Sequence, residues 1–166
     1  MFDFIKNIFG GNKPGIAVLV DGPNILRKAF NVDLKEIKQE ISKYGDIRVA
    51  KIYVDQYAGD KLLEAITNQG FESKTTTGDV DVTMAIEAME YVLDPRIDTI
   101  ALVTRDTDYL PVLVKARYRG KKTMIVATDV AFSAALKNTA DILIILKEKG
   151  NVEHRSNGSG DNKEKL

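Results

Sequence analysis

Two aspartates one residue apart follow an apolar run in the second half of the chain. The sequence there reads Ile100-Ala101-Leu102-Val103-Thr104-Arg105-Asp106-Thr107-Asp108-Tyr109-Leu110-Pro111. A passage near the start has the same form, Ile16-Ala17-Val18-Leu19-Val20 and then Asp21-Gly22-Pro23-Asn24. A third acidic step, Gly78-Asp79-Val80-Asp81, opens a long segment of helical periodicity. If the two apolar runs are neighbouring parallel strands, their acids meet at one sheet edge. Carboxylates within roughly 6 Å of one another raise each other's pKa and call for protons or a cation. The only histidine, His154, lies in a polar tail and there is no cysteine, so any metal is held mainly by oxygen. That donor set suits Mg²⁺ or Mn²⁺. A cation that keeps part of its hydration suits phosphate chemistry, with no need for a protein nucleophile.

Each acid also has a plain structural use. Asp21 and Asn24 can bond to amides of their own turn. Asp106 or Asp108 can cap the helix that follows, and Asp79 or Asp81 can do the same for theirs. One cap needs one side chain, whereas each of these steps offers two. Thr104 and Thr107 supply hydroxyls for support or capping. Neither a Walker lysine nor a GxGxxG loop is present, which disfavours nucleotide binding of those kinds. A phosphorylated-aspartate receiver would need an acid after the third strand, where Thr75-Thr76-Thr77 stands instead.

The elements that must position these residues alternate. Strands are expected at 16–20, 47–54, 71–76, 98–103, 123–127 and 142–146. Helices are expected at 34–44 (N-capped by Asp33), 60–69, from 80 onward, 107–119 and 132–138. The helix at 60–69 turns Leu62, Leu63 and Ile66 inward, and the one at 107–119 carries Leu110, Leu113, Val114 and Tyr118. In the helix from 80, Val82, Ile86, Met89 and Leu93 fall at spacings of 4, 3 and 4, the mark of one apolar face. Short connections between alternating strands and helices mean an α/β fold, a Rossmann-like three-layer α/β/α sandwich around a mainly parallel sheet of five to six strands. Such sheets bind ligands beyond the carboxyl ends of their strands, where the strand order reverses. Asp21, Asn24, Asp106 and Asp108 are expected there.

With 24 basic and 24 acidic side chains in 166 residues, net charge gives no general attraction to nucleic acid, so any basic surface is local. Arg27, Lys28 and Lys74 neighbour the acidic steps. The cluster Arg117, Arg119, Lys121 and Lys122 falls at the opposite edge, where a solvated face is expected. The absence of cysteine fits a reducing, cytoplasmic setting. No apolar run reaches the roughly 18 residues of a membrane span, and no integral membrane segment or secretion signal is expected. One domain is expected over 15–147. A short amphipathic segment, 1–14, precedes it with Phe2, Ile5, Ile8 and Phe9 on one side, and offers a route to homo-oligomers. The polar residues 148–166 are expected to be disordered.

Taken together, these blocks resemble the NYN domain family, a PIN-like nuclease group, and within it the LabA-like branch. The resemblance rests on Asp21-Gly22-Pro23-Asn24, on Asp79-Val80-Asp81-Val82, on Thr104 through Leu113, and on Ser133-Ala134-Ala135-Leu136 with Ala140-Asp141. It implies a PIN-like fold and a metal-dependent ribonuclease-like site acting on RNA. Asp21, Asp81, Asp106 and Asp108 take the metal-binding, catalytic role, and Asn24 is a polar partner of metal or substrate. Glu87 sits where many relatives have aspartate. Thr104 replaces serine, Tyr109 replaces phenylalanine, and Arg105 replaces a small residue beside the site, where it holds a phosphate or pairs with an acid. Asp141 is expected to be structural. Two alternatives stay open: a non-catalytic RNA-binding or regulatory protein on the same fold, and a small-molecule phosphohydrolase.

Overall fold

The computed structural model describes residues 11–26, 33–128, 134–146 and 152–156, the last five as backbone only. Strands β1 (Gly15–Asp21), β2 (Asp46–Asp55), β3 (Glu72–Thr76), β4 (Thr99–Val103), β5 (Lys122–Thr128), β6 (Ile142–Leu146) and β7 (Val152–Ser156) form one sheet. Its order is β3-β2-β1-β4-β5-β6-β7. The first six strands run parallel, and β7 pairs antiparallel with β6. The helices are α1 (Gly22–Ile25), α2 (Leu34–Ser42), α3 (Asp60–Asn68), α4 (Val80–Leu93), α5 (Leu110–Tyr118) and α6 (Ala134–Thr139), with a 3₁₀ turn at Thr107–Tyr109 before α5.

The strands are continuous apolar runs because both faces are covered, as parallel sheets require. Ile16, Val18 and Val20 of β1 pack with Ile37 and Ile41 of α2 and Ile66 of α3. Ala17 and Leu19, pointing the other way, pack with Met84 and Ala88 of α4 and Leu113 of α5. These two cores make the three-layer α/β/α sandwich expected from the alternation. β1 is paired with both β2 and β4. The chain winds outward from it in both directions, so the strand order reverses at the end of β1. By the alternation of the pleat, Asp21 belongs to the face of Ala17 and Leu19, the side of α4 and α5.

Three expectations change. The tail was expected to be disordered, yet Val152–Ser156 forms β7 on the open edge of β6. An edge strand gains backbone hydrogen bonds from its neighbour without burying much side chain, so polar composition misses it. It also takes the sheet beyond six strands, to seven. In α4 the residues that enter the core are Val80, Met84, Ala88 and Val92, while Val82, Ile86 and Leu93 are 56%, 62% and 60% exposed. The helix is apolar on two sides, so three of the four residues at the 4-3-4 spacing face outward, while Met89 packs against the core. Likewise Leu62 on α3 and Val114 and Tyr118 on α5 are exposed. The turn after β1 is a short helix rather than a bare turn, capped by Asp21 and with Pro23 in its first turn. The amphipathic residues Phe2, Ile5, Ile8 and Phe9, and the cations Arg27 and Lys28, lie outside the described residues.

Candidate metal centre at the sheet switch point

The site grows out of three helix starts. Asp21 closes β1 with only 1% of its surface exposed. Its Oδ2 accepts from the Thr104 hydroxyl at 2.9 Å and from Asn24 Nδ2 at 2.8 Å, and Oδ1 accepts the Asn24 backbone N–H at 3.3 Å. Thr104 is fully buried and also accepts the Asp106 backbone N–H at 3.1 Å, which links the exits of β1 and β4. Asp106 then caps the 3₁₀ turn, its Oδ1 taking the Asp108 N–H at 2.9 Å. Asp79 caps α4 through the Asp81 N–H at 2.9 Å. The Asp79 cap leaves the Asp81 carboxylate to face the sheet edge, where Tyr109 donates its hydroxyl to Asp81 Oδ1 at 2.8 Å. Capping and ligation are therefore compatible uses of the same acids, because a carboxylate has more lone pairs than one cap consumes.

Asp81, Asp106 and Asp108 each offer a carboxylate oxygen, and those oxygens lie within 4.8 Å of one another. Asp21 stands behind this triad. Its charge raises the pKa of Asp81, as do those of Asp106 and Asp79, although burial is the larger cause and the Tyr109 hydrogen bond pulls the other way. Burial first, then Asp21 and Asp81, push the Tyr109 phenol well above its ordinary value, so it stays a donor. The donor set is oxygen alone, half-buried to exposed and mutually repelling, which fits a hard divalent cation. Arg105 is half-buried beside Asp106.

Glu87 does not join the triad. It accepts from the Tyr53 hydroxyl at 2.8 Å and from Lys51 Nζ at 3.2 Å, and pairs with Lys74 at 3.2 Å. Glu87 thus ties α4 to β2 and β3, and its helix carries Asp81. Of the cations at the opposite edge, Arg117 and Lys121 serve structure, while Arg119 and Lys122 are exposed. Arg117 bonds to the Thr139 carbonyl, and Lys121 reaches the carbonyls of Asp94 and Ile97. Asp141 receives the Thr123 N–H and hydroxyl, both at 2.9 Å, a structural role as expected. Tyr109 is the contributor that motif reading noted only as a substitution. Its hydroxyl, absent from phenylalanine, is the signal that could have found it.

Removing one charge from this cluster stabilises the metal-free protein. The folded-state pKa of Asp81 lies above its ordinary 3.8, so keeping it ionised at neutral pH costs folding free energy. That cost is released as pH falls through the raised value. Asp81→Asn, which retains an acceptor for Tyr109, is expected to raise the melting temperature in chelator at pH 7, by about 2–4 °C per kcal/mol relieved. The gain shrinks as pH approaches 4. Thermal unfolding across pH 4–8 checks it; a variant that melts lower than the parent at pH 7 contradicts the electrostatic reading.

A three-layer α/β sandwich with aspartates beyond the carboxyl ends of its central strands is consistent with a PIN-like fold. The chain belongs to the NYN domain family, whose model matches residues 15–147. It is 54% identical over 134 residues to the uncharacterised protein MJ0482 of Methanocaldococcus jannaschii, a match covering 81% of this chain and 56% of that protein. The chain thus spans little more than half the length of that curated relative. A crystal structure of VPA0982 from Vibrio parahaemolyticus, a protein of unknown function, superposes with a TM-score of 0.71 at 24% identity. That match covers 81% of this chain and 94% of the other, and it shows the fold. Among the described residues no helix is long and apolar enough to cross a membrane.

Proposed function

We propose that the protein is a divalent-metal-dependent ribonuclease of the LabA-like branch of its family, cleaving phosphodiester bonds in RNA. The observation that carries this reading is the meeting of three carboxylate oxygens within 4.8 Å, from two separate helix starts, at the sheet switch point. Asp81, Asp106 and Asp108 would hold Mg²⁺ or Mn²⁺, with Asp21 adding negative charge from behind. The bound cation supplies Lewis-acid charge at the scissile phosphate and lowers the pKa of the attacking water.

The chain's own residues do the positioning. Thr104 and Asn24 fix the rotamer of Asp21, and Thr104 also pins the Asp106 backbone. Tyr109 fixes Asp81. Arg105, next to Asp106 in the chain, is the cation this reading assigns to the RNA backbone. The triad runs from half-buried to exposed, with Asp108 outermost. An edge open in this way leaves room for a polymer, and the nuclease type of the family's domain supports RNA as that polymer.

The test is cleavage of a 5′-labelled single-stranded RNA by the full chain with Mn²⁺, with Mg²⁺ and with chelator, beside a small phosphodiester. Metal-dependent RNA cleavage is expected. RNA binding without cleavage in either metal would instead make this a non-catalytic RNA-binding or regulatory protein. Turnover of the small ester alone would make it a small-molecule phosphohydrolase.

A further inference from the structure

A cleft of about 330 Å³ opens on the other face of the same sheet edge, lined by Pro23, Leu26, Val54, Asp55, Tyr57 and Leu62 among others. Two of its lining residues, Gly22 and Pro23, follow Asp21 directly in the chain. Asp21 and Tyr53 are paired across β1 and β2, so Asp55, two residues on, sits at the neighbouring strand end.

We propose that this cleft is a nucleobase subsite, holding an unstacked base of the RNA. The inference rests on the ribonuclease reading for the polymer but is carried by separate residues. Its volume lies at the lower end of the roughly 300–1,000 Å³ of small-ligand clefts. The Tyr57 side chain at its rim is 83% exposed, although a tyrosine ring normally buries much of its surface. Leu62, 37% exposed, and the Pro23 ring supply further apolar surface. Such exposed rings are the platforms on which single-stranded nucleic acid stacks its bases.

The chemistry of the lining selects the base over the phosphate. Asp55 contributes a carboxylate that repels phosphate. That carboxylate is held in place by the Tyr57 backbone N–H, which donates to Oδ1 at 2.8 Å. It presents acceptors to the amino and imino donors on a base's Watson–Crick edge, the edge through which proteins read unpaired bases. The backbone phosphates would lie at the metal edge, and the base would turn away from it over Gly22.

The experiment measures binding without cleavage. The full chain, in chelator, is titrated into a fluorescein-labelled ten-nucleotide single-stranded RNA, an abasic ribose-phosphate strand of the same length, and a nucleoside monophosphate. The base-bearing strand is expected to bind about tenfold or more tighter than the abasic one, the usual scale for base–aromatic stacking. Tyr57→Ala is expected to erase that difference and Tyr57→Phe to keep it. As Tyr57 is so exposed, neither change should alter the melting temperature. The monophosphate should bind more weakly than the strand; equal binding would show a free nucleotide as the occupant and overturn the RNA assignment. Equal binding of the two strands by the parent, binding of neither, or a difference that survives Tyr57→Ala overturns the subsite. Failure of the ribonuclease reading looks different: base-dependent binding stays intact and no cleavage appears when Mn²⁺ is added.

Discussion

The Asp106→Asn/Asp108→Asn double variant is expected to lose RNA cleavage by about 10³-fold or more while folding as the parent does. The size follows from the several kcal/mol that a bound cation contributes to charge stabilisation, at 1.36 kcal/mol per tenfold in rate. Two of the three triad oxygens then become neutral amides, poor ligands for a hard cation. The fold should survive because an amide oxygen at 106 can still accept the Asp108 N–H, and Thr104 still joins the Asp106 backbone to Asp21. Relief of repulsion on Asp81 acts in the same direction. Single-turnover cleavage of labelled RNA with saturating Mn²⁺, alongside thermal unfolding in chelator, reads both halves. Activity that persists undiminished would assign it to something other than this site.

Glu87→Ala is expected to cost about 3 kcal/mol of stability, the lower end of the scale for breaking a buried ion pair from one side. The Lys51 and Glu87 side chains are only 16% and 14% exposed. Removing the carboxylate leaves Lys51 charged in a poorly hydrated place and strands the Tyr53 hydroxyl, which is buried and donates to Glu87. Lys51 is held above its ordinary pKa even though burial opposes its charge, because Tyr91 and Glu87 outweigh that penalty. For Glu87, burial alone would raise the pKa, but bonds from Tyr53, Lys74 and Lys51 bring it below the ordinary carboxylate value. A depressed folded-state pKa contributes stability above the unfolded value, about 4.3, and loses it as pH falls through the folded one. Parent and variant should thus differ most near pH 7 and converge in acid. Urea unfolding at pH 7 and at pH 3 measures this; a difference that grows in acid would mean the pair is not what Glu87 contributes. Because Glu87 anchors the helix that carries Asp81, metal affinity should weaken too, though less than in the double variant.

Much of the scaffold was legible because parallel strands buried on both faces leave a plain trace. The runs at 16–20 and 98–103, each cut off by an acidic step, identified both the central strands and the end of the sheet where chemistry belongs. Asp81, Asp106 and Asp108 come together there. Asp21 reaches the same edge, but its oxygens are held by Thr104 and Asn24. The misses have physical causes. Helix α4 carries two apolar stripes, and periodicity alone cannot say which one faces the sheet. Strand β7 is held by pairing with β6, an interaction that leaves little mark on composition. Glu87 was drawn toward the site by resemblance, whereas its partners on β2 and β3 are far away in sequence. Tyr109 was visible as a tyrosine in a phenylalanine position, but its target, Asp81, lies 28 residues away. Only the fold joins them.

The central claim is that Asp81, Asp106 and Asp108 form a cation site, and the loss of the free Mn²⁺ paramagnetic resonance signal as protein is added tests it most directly. The parent chain is expected to deplete the free-ion signal saturably, and the Asp106→Asn/Asp108→Asn variant to leave it nearly untouched. A parent that does not deplete the signal, or a variant that depletes it equally, would contradict the account.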